Sequence, residues 1–267
     1  MDKASQNQAT TSLLSLAVIT LNEEENLGRC LESAAGLADE IVIIDSGSTD
    51  KTREIAEKYH AVFEYHPWPG HVAQKNRALE RCSHQWVLSL DADECLTPEL
   101  KEEIQRRINE GNIEKCDGYL LNRKTFYLGD WIHYAWYPEW RLRLVNRELA
   151  QWEGTDPHDH LKVKGKVQKL KGGDFHHFSY RNLQHHMEVS LRYARIGAEA
   201  DIRNGKAFKP HKLFTSPMGR LFKFLFLKRG WMDGWRGWII LGSAMMTAFV
   251  KQAHLLEHKL KNRDVYK

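Results

Sequence analysis

Residues 13–50 carry the strongest fold signal in the chain, and they read LLSLAVITLNEEENLGRCLESAAGLADEIVIIDSGSTD. The apolar runs Ser15–Leu21 and Glu40–Asp45 have the length and composition of strands buried on both faces of a parallel sheet. Between them, Asn22 is expected to cap a helix, with Glu25 as its reciprocal partner. The stretch therefore predicts a strand–helix–strand unit.

The alternation of strand and helix continues beyond this unit. A third strand is predicted at Ala61–Tyr65, a helix from about His71 to Cys82, and a fourth strand at Gln85–Leu90. Thr97-Pro98 predicts the start of another helix, because proline fits the first helical position. This order predicts an α/β fold with a mainly parallel central sheet and crossover helices on both faces.

Bulk composition excludes several classes of protein. The chain has 267 residues, of which 42% are hydrophobic, so it is not mostly disordered. Its net charge of +4 is small for a nucleic-acid-binding protein, and we expect no nucleic-acid partner. The four cysteines are spread along the sequence without a Cys-x-x-Cys pair, which is typical of reduced thiols in a cytoplasmic protein.

Two acidic residues, Asp91 and Asp93, directly follow the fourth predicted strand. Most isolated Asp-x-Asp pairs are solvated loop residues, but parallel sheets bind ligands at the carboxyl ends of their strands. There the two carboxylates can turn toward one cation that prefers oxygen ligands, Mg²⁺ or Mn²⁺. Such a cation bridges phosphate oxygens and neutralises the charge of a departing diphosphate. The neighbouring Glu94 either supports this shell or is solvated.

A third acid, Asp45, ends the second predicted strand and precedes a turn at Gly47. Its carboxylate is suited to accept hydrogen bonds from a base or a ribose. The residues after it also fit a helix start, because Ser48 or Thr49 can cap the helix that runs to Tyr59. Both interpretations of this segment are compatible with each other.

Four segments, taken in this order, resemble family 2 glycosyltransferases of the GT-A fold: VITLNEEENLGRCLES, EIVIIDSGSTDKT, AQKNRALE and VLSLDADE. Later segments, YLLNRKTFYLGDWI, WYPEWRLRLV, PHDH and GWMDGWRGW, are similar to a bacterial branch that adds sugars to lipopolysaccharide core, including β-1,4-glucosyltransferases. The resemblance implies a Rossmann-like nucleotide-sugar-binding domain followed by a helical extension. It also implies inverting transfer of a hexose, with glucose as the expected sugar, from a UDP-sugar to a lipid-linked saccharide.

The resemblance further implies roles for individual residues. A divalent cation, Mg²⁺ or Mn²⁺, is expected on Asp93 and Asp91, with Asp93 as the more direct ligand. Lys75, in the helix after the Gly70 loop, is expected to approach the donor, although its position alone also suits an exposed helix lysine. The implied donor-binding residues are Thr20, Asn22, Glu23, Asp45, Ser46, Lys75 and Asp91.

An inverting transfer needs a base that takes the proton of the acceptor hydroxyl as this hydroxyl attacks the anomeric carbon. The resemblance implies an acid well after the Asp-x-Asp motif, and the candidates are Asp159, Glu139 and Asp156. Asp159 is favoured because it aligns with the acid of a His–acid pair in the branch, with Asp here in place of Glu. Glu139 is the next candidate.

The histidines and aromatic residues of the second half are less informative. Six histidines between residues 158 and 186 lack the His-x-x-x-His spacing and the cysteine partners of a zinc site, so no zinc is expected. Aromatic residues at 126–140 suit either stacking on acceptor sugars or core packing, and the sequence favours neither.

The last third of the chain is predicted to be helical. Its longest uncharged run, Gly237–Val250, has 14 residues, whereas a spanning helix needs about 20, so we expect no bilayer crossing. Aromatic residues mixed with Lys and Arg favour peripheral contact with the cytoplasmic surface of the inner membrane, although helices packed on the catalytic domain give the same pattern.

The expected division is a disordered lead at 1–12, a catalytic domain at 13–178 (nucleotide-sugar half 13–122, acceptor half 123–178) and a helical extension at 179–267.

Other functions fit the sequence less well. A nucleotidyltransferase usually has a glycine-rich basic loop after its first strand, whereas this chain has the acidic TLNEEEN at 20–26. A non-catalytic nucleotide-sugar-binding protein of the same fold is expected to lose the Asp-x-Asp acids, and both are present here. Transfer to another cell-envelope polysaccharide stays open as an alternative.

Overall fold

A computed structural model describes residues 13–154 and 159–261 of the chain. The predicted lead at 1–12 and the candidate base Asp156 lie outside the described residues. In the first half, strand and helix alternate as predicted. The elements are β1 (Leu14–Thr20), α1 (Leu27–Ala34), β2 (Glu40–Asp45), α2 (Thr52–Lys58), β3 (Val62–Tyr65), α3 (His71–Arg81) and β4 (Trp86–Asp91).

The second half adds strands of both directions to this sheet. It contains β5 (Glu94–Leu96), α4 (Pro98–Asn109), β6 (Gly118–Tyr127), β7 (Asp130–Trp131), β8 (Glu139–Asn146), β9 (Ala150–Glu153), β10 (His160–Val163) and β11 (Val167–His177). The strand order is β3-β2-β1-β4-β8-β6-β11-β5, with β7 on β6, and β9 and β10 form a separate antiparallel pair. β1 pairs in parallel with β2 and β4, and β8 joins β4 in the antiparallel direction. The α/β prediction is confirmed, and the sheet is mixed.

Alternate residues of the first strand belong to two separate cores. Leu16 and Val18 pack in one buried cluster with Leu31 of α1. Ala17, which points to the other face of β1, packs in a second cluster with Leu79 of α3. The sheet is therefore covered by helices on both faces, which explains why its strands are continuous apolar runs.

Both predicted helix caps are wrong. Asn22 has φ +56°, and α1 begins only at Leu27, so Asn22 does not cap it. Likewise, α2 begins at Thr52, beyond Ser48. The loops after β1 and β2 bind each other instead, because the Asn22 amide N–H donates to Ser48 Oγ at 2.8 Å. The predicted helix start at Thr97-Pro98 is confirmed, since α4 begins at Pro98 and Thr97 Oγ1 accepts from the Leu100 amide.

The chain divides into two compact units. The first contains the residues up to Arg123 and Glu139–His177, which include the strands β1 to β5 and most of the sheet. The second contains Lys124–Pro138 and the residues from Phe178 onward. Its helices are α5 (Leu183–Arg203), α6 (Lys212–Phe222), a π-helical segment (Lys223–Lys228), a 3₁₀ turn (Gly230–Asp233) and α7 (Gly234–Lys261). The domain boundaries given above stay a prediction.

One helical stretch of the described chain, Gly230–Lys261, is long and apolar enough to cross a membrane by length and composition alone. The uncharged run of the sequence ends at Arg236 and Lys251, whereas the helix continues past both residues, so the run is shorter than the helix. The same length and composition occur in core helices of soluble proteins.

Candidate active site

The polar residues predicted at the strand ends lie side by side at one edge of the sheet. Thr20, at the end of β1, is in register with Asp45 at the end of β2. On the other side of β1, Ile19 is in register with Asp91 at the end of β4. This edge is where parallel sheets bind their ligands.

Asp45 is buried and organises the turn that follows it. One oxygen accepts from Thr20 Oγ1 at 2.8 Å and Ser48 Oγ at 2.5 Å. The other accepts from the backbone amides of Gly47 and Ser48, each at 2.8 Å. These four bonds use the capacity of a carboxylate, so a base or ribose would have to replace one of them. Gly47 has φ +105°, a conformation that side chains rarely adopt.

The other donor-binding candidates of this edge are held by neighbouring loops. Asn22 Oδ1 accepts from the Thr49 amide at 2.9 Å. Glu23 accepts from the Asn26 side chain at 2.9 Å. Ser46 Oγ accepts from Gln74 Nε2 of α3 at 3.1 Å.

Asp91 lies between two cations. Its Oδ1 is 2.8 Å from Lys75 Nζ, and its Oδ2 is 2.9 Å from Arg143 Nη2. Burial alone raises the pKa of Asp91, but the ammonium of Lys75 and the guanidinium of Arg143 outweigh it and hold that pKa far below its ordinary value. Asp91 is therefore an anion whose two oxygens are already paired.

Lys75 is 7% exposed and joins two acids that are distant in sequence. Besides Asp91, its ammonium lies 2.9 Å from Asp159 Oδ2 and 4.4 Å from the ring centre of Trp152. Burial lowers the pKa of Lys75, but Asp91 and Asp159 together raise it above its ordinary value. The structure thus brings together Lys75, Asp91 and Asp159, and Lys75 is not an exposed helix lysine.

Asp93 points to a histidine that the sequence analysis did not select. His177 Nε2 lies 3.3 Å from Asp93 Oδ2. The contact arises because β11 pairs with β5 in antiparallel register, with His177 opposite Glu94. Burial raises the pKa of Asp93, yet the proximity of His177 leaves it lowered overall. No local spacing signals this pair, because the two residues are 84 positions apart.

Behind Asp91, a buried chain of charges runs through β5, β8 and β6. Glu94, which is fully buried, lies 2.7 Å from Arg143 and 3.5 Å from Arg123. Arg123 in turn lies 2.9 Å from Glu139, which also contacts Arg141. Although burial raises the pKa of Glu139, the two arginines lower it overall. Glu139 is therefore bound on both sides and is a weak proton acceptor.

A divalent cation fits the donors at this edge. Within residues 13–154 and 159–261, no three His, Cys, Asp or Glu side chains form a cluster that could hold a metal alone. Mg²⁺ commonly needs only one or two protein carboxylates when substrate phosphates complete its shell. Asp93 and His177 supply a carboxylate and an imidazole, and buried His177 Nδ1 has no hydrogen-bond partner among the described residues. Asp91 can coordinate a metal ion only if it loses its ion pair with Lys75 or with Arg143.

A mixed sheet whose parallel strands carry acids at their carboxyl ends, followed by helices, fits an α/β domain of the GT-A type. The chain belongs to glycosyltransferase family 2, because the family model described as Glycosyl transferase family 2 matches residues 15–160. The resemblance predicted from the strand-end motifs is thereby confirmed.

Two relatives that are named as glycosyltransferases match nearly the whole chain. The lipopolysaccharide core biosynthesis glycosyltransferase LpsC of Rhizobium meliloti is 30% identical, and the match covers 94% of each chain. An uncharacterized glycosyltransferase of Rickettsia typhi is 29% identical over 94% of this chain and 89% of its own. A crystal structure of S. aureus TarS 1–349 is similar with a TM-score of 0.48 and 16% identity, covering 96% of this chain and 93% of TarS 1–349. A likeness at this level carries no inference about ligands.

Proposed function

We propose that this protein transfers a hexose, glucose, from a UDP-sugar to a hydroxyl group of a lipid-linked saccharide such as lipopolysaccharide core. The observation that carries the proposal is the cluster in which Lys75 joins Asp91 and Asp159, beside Asp93, at the carboxyl edge of the sheet. The acceptor class is supported by the likeness to LpsC, which is named for lipopolysaccharide core biosynthesis.

Buried positive charges bind the donor diphosphate, and a divalent cation would add to this when bound. Lys75 and Arg143 are the cations nearest to Asp91, and both are almost completely buried, so water screens them weakly. Asp93 and His177 would hold Mg²⁺ or Mn²⁺, which supplies Lewis-acid stabilisation of the leaving diphosphate when bound. Thr20, Asn22, Glu23, Asp45 and Ser46 form the wall of the nucleotide pocket.

Asp159 accepts the proton of the attacking hydroxyl, and the transfer proceeds with inversion. Its carboxylate contacts Lys75, which also contacts Asp91, so one ammonium connects the acceptor side with the donor side. Glu139 is less suited to this role because Arg123 and Arg141 lower its pKa and occupy its oxygens. The base, Asp159, and the donor-side acid, Asp91, thus contact the same ammonium group of Lys75.

The enzyme works at the cytoplasmic surface of the inner membrane, where a lipid-linked acceptor is presented. The second compact unit supports this location, because many of its large apolar side chains are exposed. Attachment is peripheral and uses the helices of that unit.

Calorimetry of nucleotide binding tests the proposal. UDP and a panel of UDP-sugars are titrated with and without Mn²⁺ into the wild type, Asp93→Asn and the exposed control Glu102→Gln. We expect Mn²⁺-dependent binding in the wild type and in the control, and loss of the Mn²⁺ dependence in Asp93→Asn. Absence of nucleotide binding by the wild type under both conditions would refute the proposal.

A further inference from the structure

An exposed apolar row runs along α6 and into the π-helical segment. Its members are Phe214, Met218, Phe222 and Phe226, and the exposed fractions of Phe214 and Phe226 are 72% and 65%. The four residues are spaced four apart, and the rings of Phe222 and Phe226 lie 4.9 Å apart. Large apolar side chains in a continuous exposed row mark an interaction surface.

The π-helical segment limits the drift of this row around the helix axis. In an α-helix with about 3.6 residues per turn, a residue four positions on has drifted by roughly 40° around the axis. A π turn contains more residues than an α turn, so four residues fall short of a full turn and the drift reverses between Phe222 and Phe226. The wide turn also turns Phe224 inward, where it is buried against Trp238. The segment therefore contains both an exposed phenylalanine, Phe226, and a buried one, Phe224.

A second group of exposed apolar residues follows the row. It consists of Leu227, Trp231, Met232, Trp235 and Trp238. Three of these five are tryptophans, which prefer the boundary between lipid headgroups and acyl chains. Together with the row on α6, they form what we call the α6–α7 apolar surface.

Charge is strongly concentrated around this surface. Residues 204–238 contain eight Lys or Arg residues and one acidic residue, so this segment has a net charge of +7. The whole chain has +4, and the remainder is therefore net negative. The single acid, Asp233, is occupied internally, since it accepts from the backbone amides of His133, Tyr134 and Ala135. Lys206 and Arg236 pair with Asp201 and Asp130 outside the segment, and the other six basic residues make the surface complementary to an anionic partner.

The contacts of α7 argue against a bilayer crossing. Ser243, in the middle of the helix, lies 3.0 Å from His186 Nε2 of α5, and Lys251 lies 2.7 Å from Asp201 of α5. Helix α5 carries charged side chains along its length. If α7 crossed the hydrocarbon, it would either draw these charges into lipid or break its contacts with α5, and both are costly.

We propose that the α6–α7 apolar surface inserts into one leaflet of a bilayer rich in anionic phospholipid, with Lys and Arg on the headgroups and α7 held in the protein core. This inference deepens the proposed function by naming the surface and the lipid chemistry, and it rests on that function for a lipid-linked acceptor. Phenylalanine and tryptophan supply the apolar contact, while the cluster of positive charge selects anionic lipid.

Co-sedimentation with vesicles tests the surface. The full-length protein is mixed with vesicles of phosphatidylglycerol and phosphatidylethanolamine, or of phosphatidylcholine alone. We expect binding to the anionic vesicles only, with a decrease at high salt. F222S/F226S should weaken the partition roughly tenfold or more, and K223Q/K228Q should do so by roughly tenfold. The control L183S/L191S, which alters exposed leucines of α5, should bind like the wild type.

Three further readouts separate the outcomes. Donor binding by calorimetry should be unchanged in F222S/F226S, so a loss of vesicle binding there does not bear on the transferase proposal. Circular dichroism should report wild-type melting for each variant. Three outcomes would each overturn the inference. The first is equal vesicle binding by F222S/F226S and the wild type. The others are self-association through this surface, seen in light scattering, and failure of alkaline carbonate to release the membrane-bound chain.

Discussion

The ammonium group of Lys75 lies 2.9 Å from the carboxylate of Asp159, which is 84 positions later in the chain. Lys75 belongs to α3, and Asp159 directly precedes β10. The same ammonium lies 2.8 Å from Asp91 at the end of β4. A single buried lysine therefore connects the acid favoured as the base with the acid at the end of β4.

Replacing Lys75 should damage binding and stability together. Lys75→Met leaves Asp159 without this cation, and Asp91 keeps only Arg143. We expect the free energy of unfolding to fall by about 2–4 kcal/mol, since a buried charge loses its partner. UDP affinity should fall by roughly tenfold or more, because the diphosphate loses a cation. Urea unfolding and calorimetry measure both quantities, and Lys58→Met, on the exposed side of α2, serves as the control.

Asp159 and Glu139 can be told apart by kinetics. If Asp159 accepts the proton, Asp159→Asn should lower kcat by about 10²–10⁴-fold while UDP affinity changes little. Glu139→Gln should have a smaller effect on kcat, because Glu139 is bound by two arginines. A larger loss of kcat in Glu139→Gln than in Asp159→Asn would reverse the assignment.

His177 should control the metal requirement. In His177→Ala, the Mn²⁺ concentration for half-maximal donor binding should rise by on the order of tenfold or more, because a ligand beside Asp93 is lost. His176→Ala is the matched control, since neighbouring residues of a strand point to opposite faces. Calorimetry at a series of Mn²⁺ concentrations measures the difference, and equal effects of the two substitutions would exclude His177 as a ligand.

His186 should make the second compact unit sensitive to acid. It is 2% exposed, lies between Tyr127 OH at 2.5 Å and Ser243 Oγ at 3.0 Å, and its pKa is lowered to about 4, chiefly by burial. In the unfolded chain histidine titrates near pH 6.5, so the unfolded state takes up the proton first as the pH falls. The contribution of neutral His186 to the free energy of unfolding is complete above about pH 6.5 and is lost between about pH 6.5 and pH 4.

The size of the effect follows from the shift in pKa. We expect His186 to contribute up to roughly 3 kcal/mol to the loss of stability at acid pH. Urea unfolding at pH 7 and pH 5 measures it in the wild type, in His186→Gln and in the control His211→Gln, which alters an exposed histidine of the same compact unit. An unchanged pH dependence in His186→Gln would show that another group is responsible.

The sequence predicted the elements that depend on local patterns. Apolar runs gave β1, β2 and β4 to within a residue or two, and Thr97-Pro98 gave the start of α4. The cap at Asn22 failed because its loop binds the loop after β2 instead of its own helix. Local capping patterns cannot reveal such pairing between loops.

The parts of the site that the sequence missed all depend on distant antiparallel pairing. Arg143 reaches Asp91 because β8 joins β4, and His177 reaches Asp93 because β11 joins β5. Neither arginine nor histidine stands in a spacing that marks a ligand site, and their partners are set by strand register. The resemblance, by contrast, named Lys75, Asp91 and Asp159 without showing that one ammonium joins them.

The most direct test of hexose transfer is to identify the product. The protein is incubated with UDP-glucose, Mn²⁺ and a purified lipopolysaccharide truncated in its core, and the acceptor is analysed by mass spectrometry and NMR. We expect a mass increase of one hexose with inverted anomeric configuration, present in Glu102→Gln and absent in Asp93→Asn. UDP binding without any hexose transfer to this acceptor or to other envelope saccharides would contradict it.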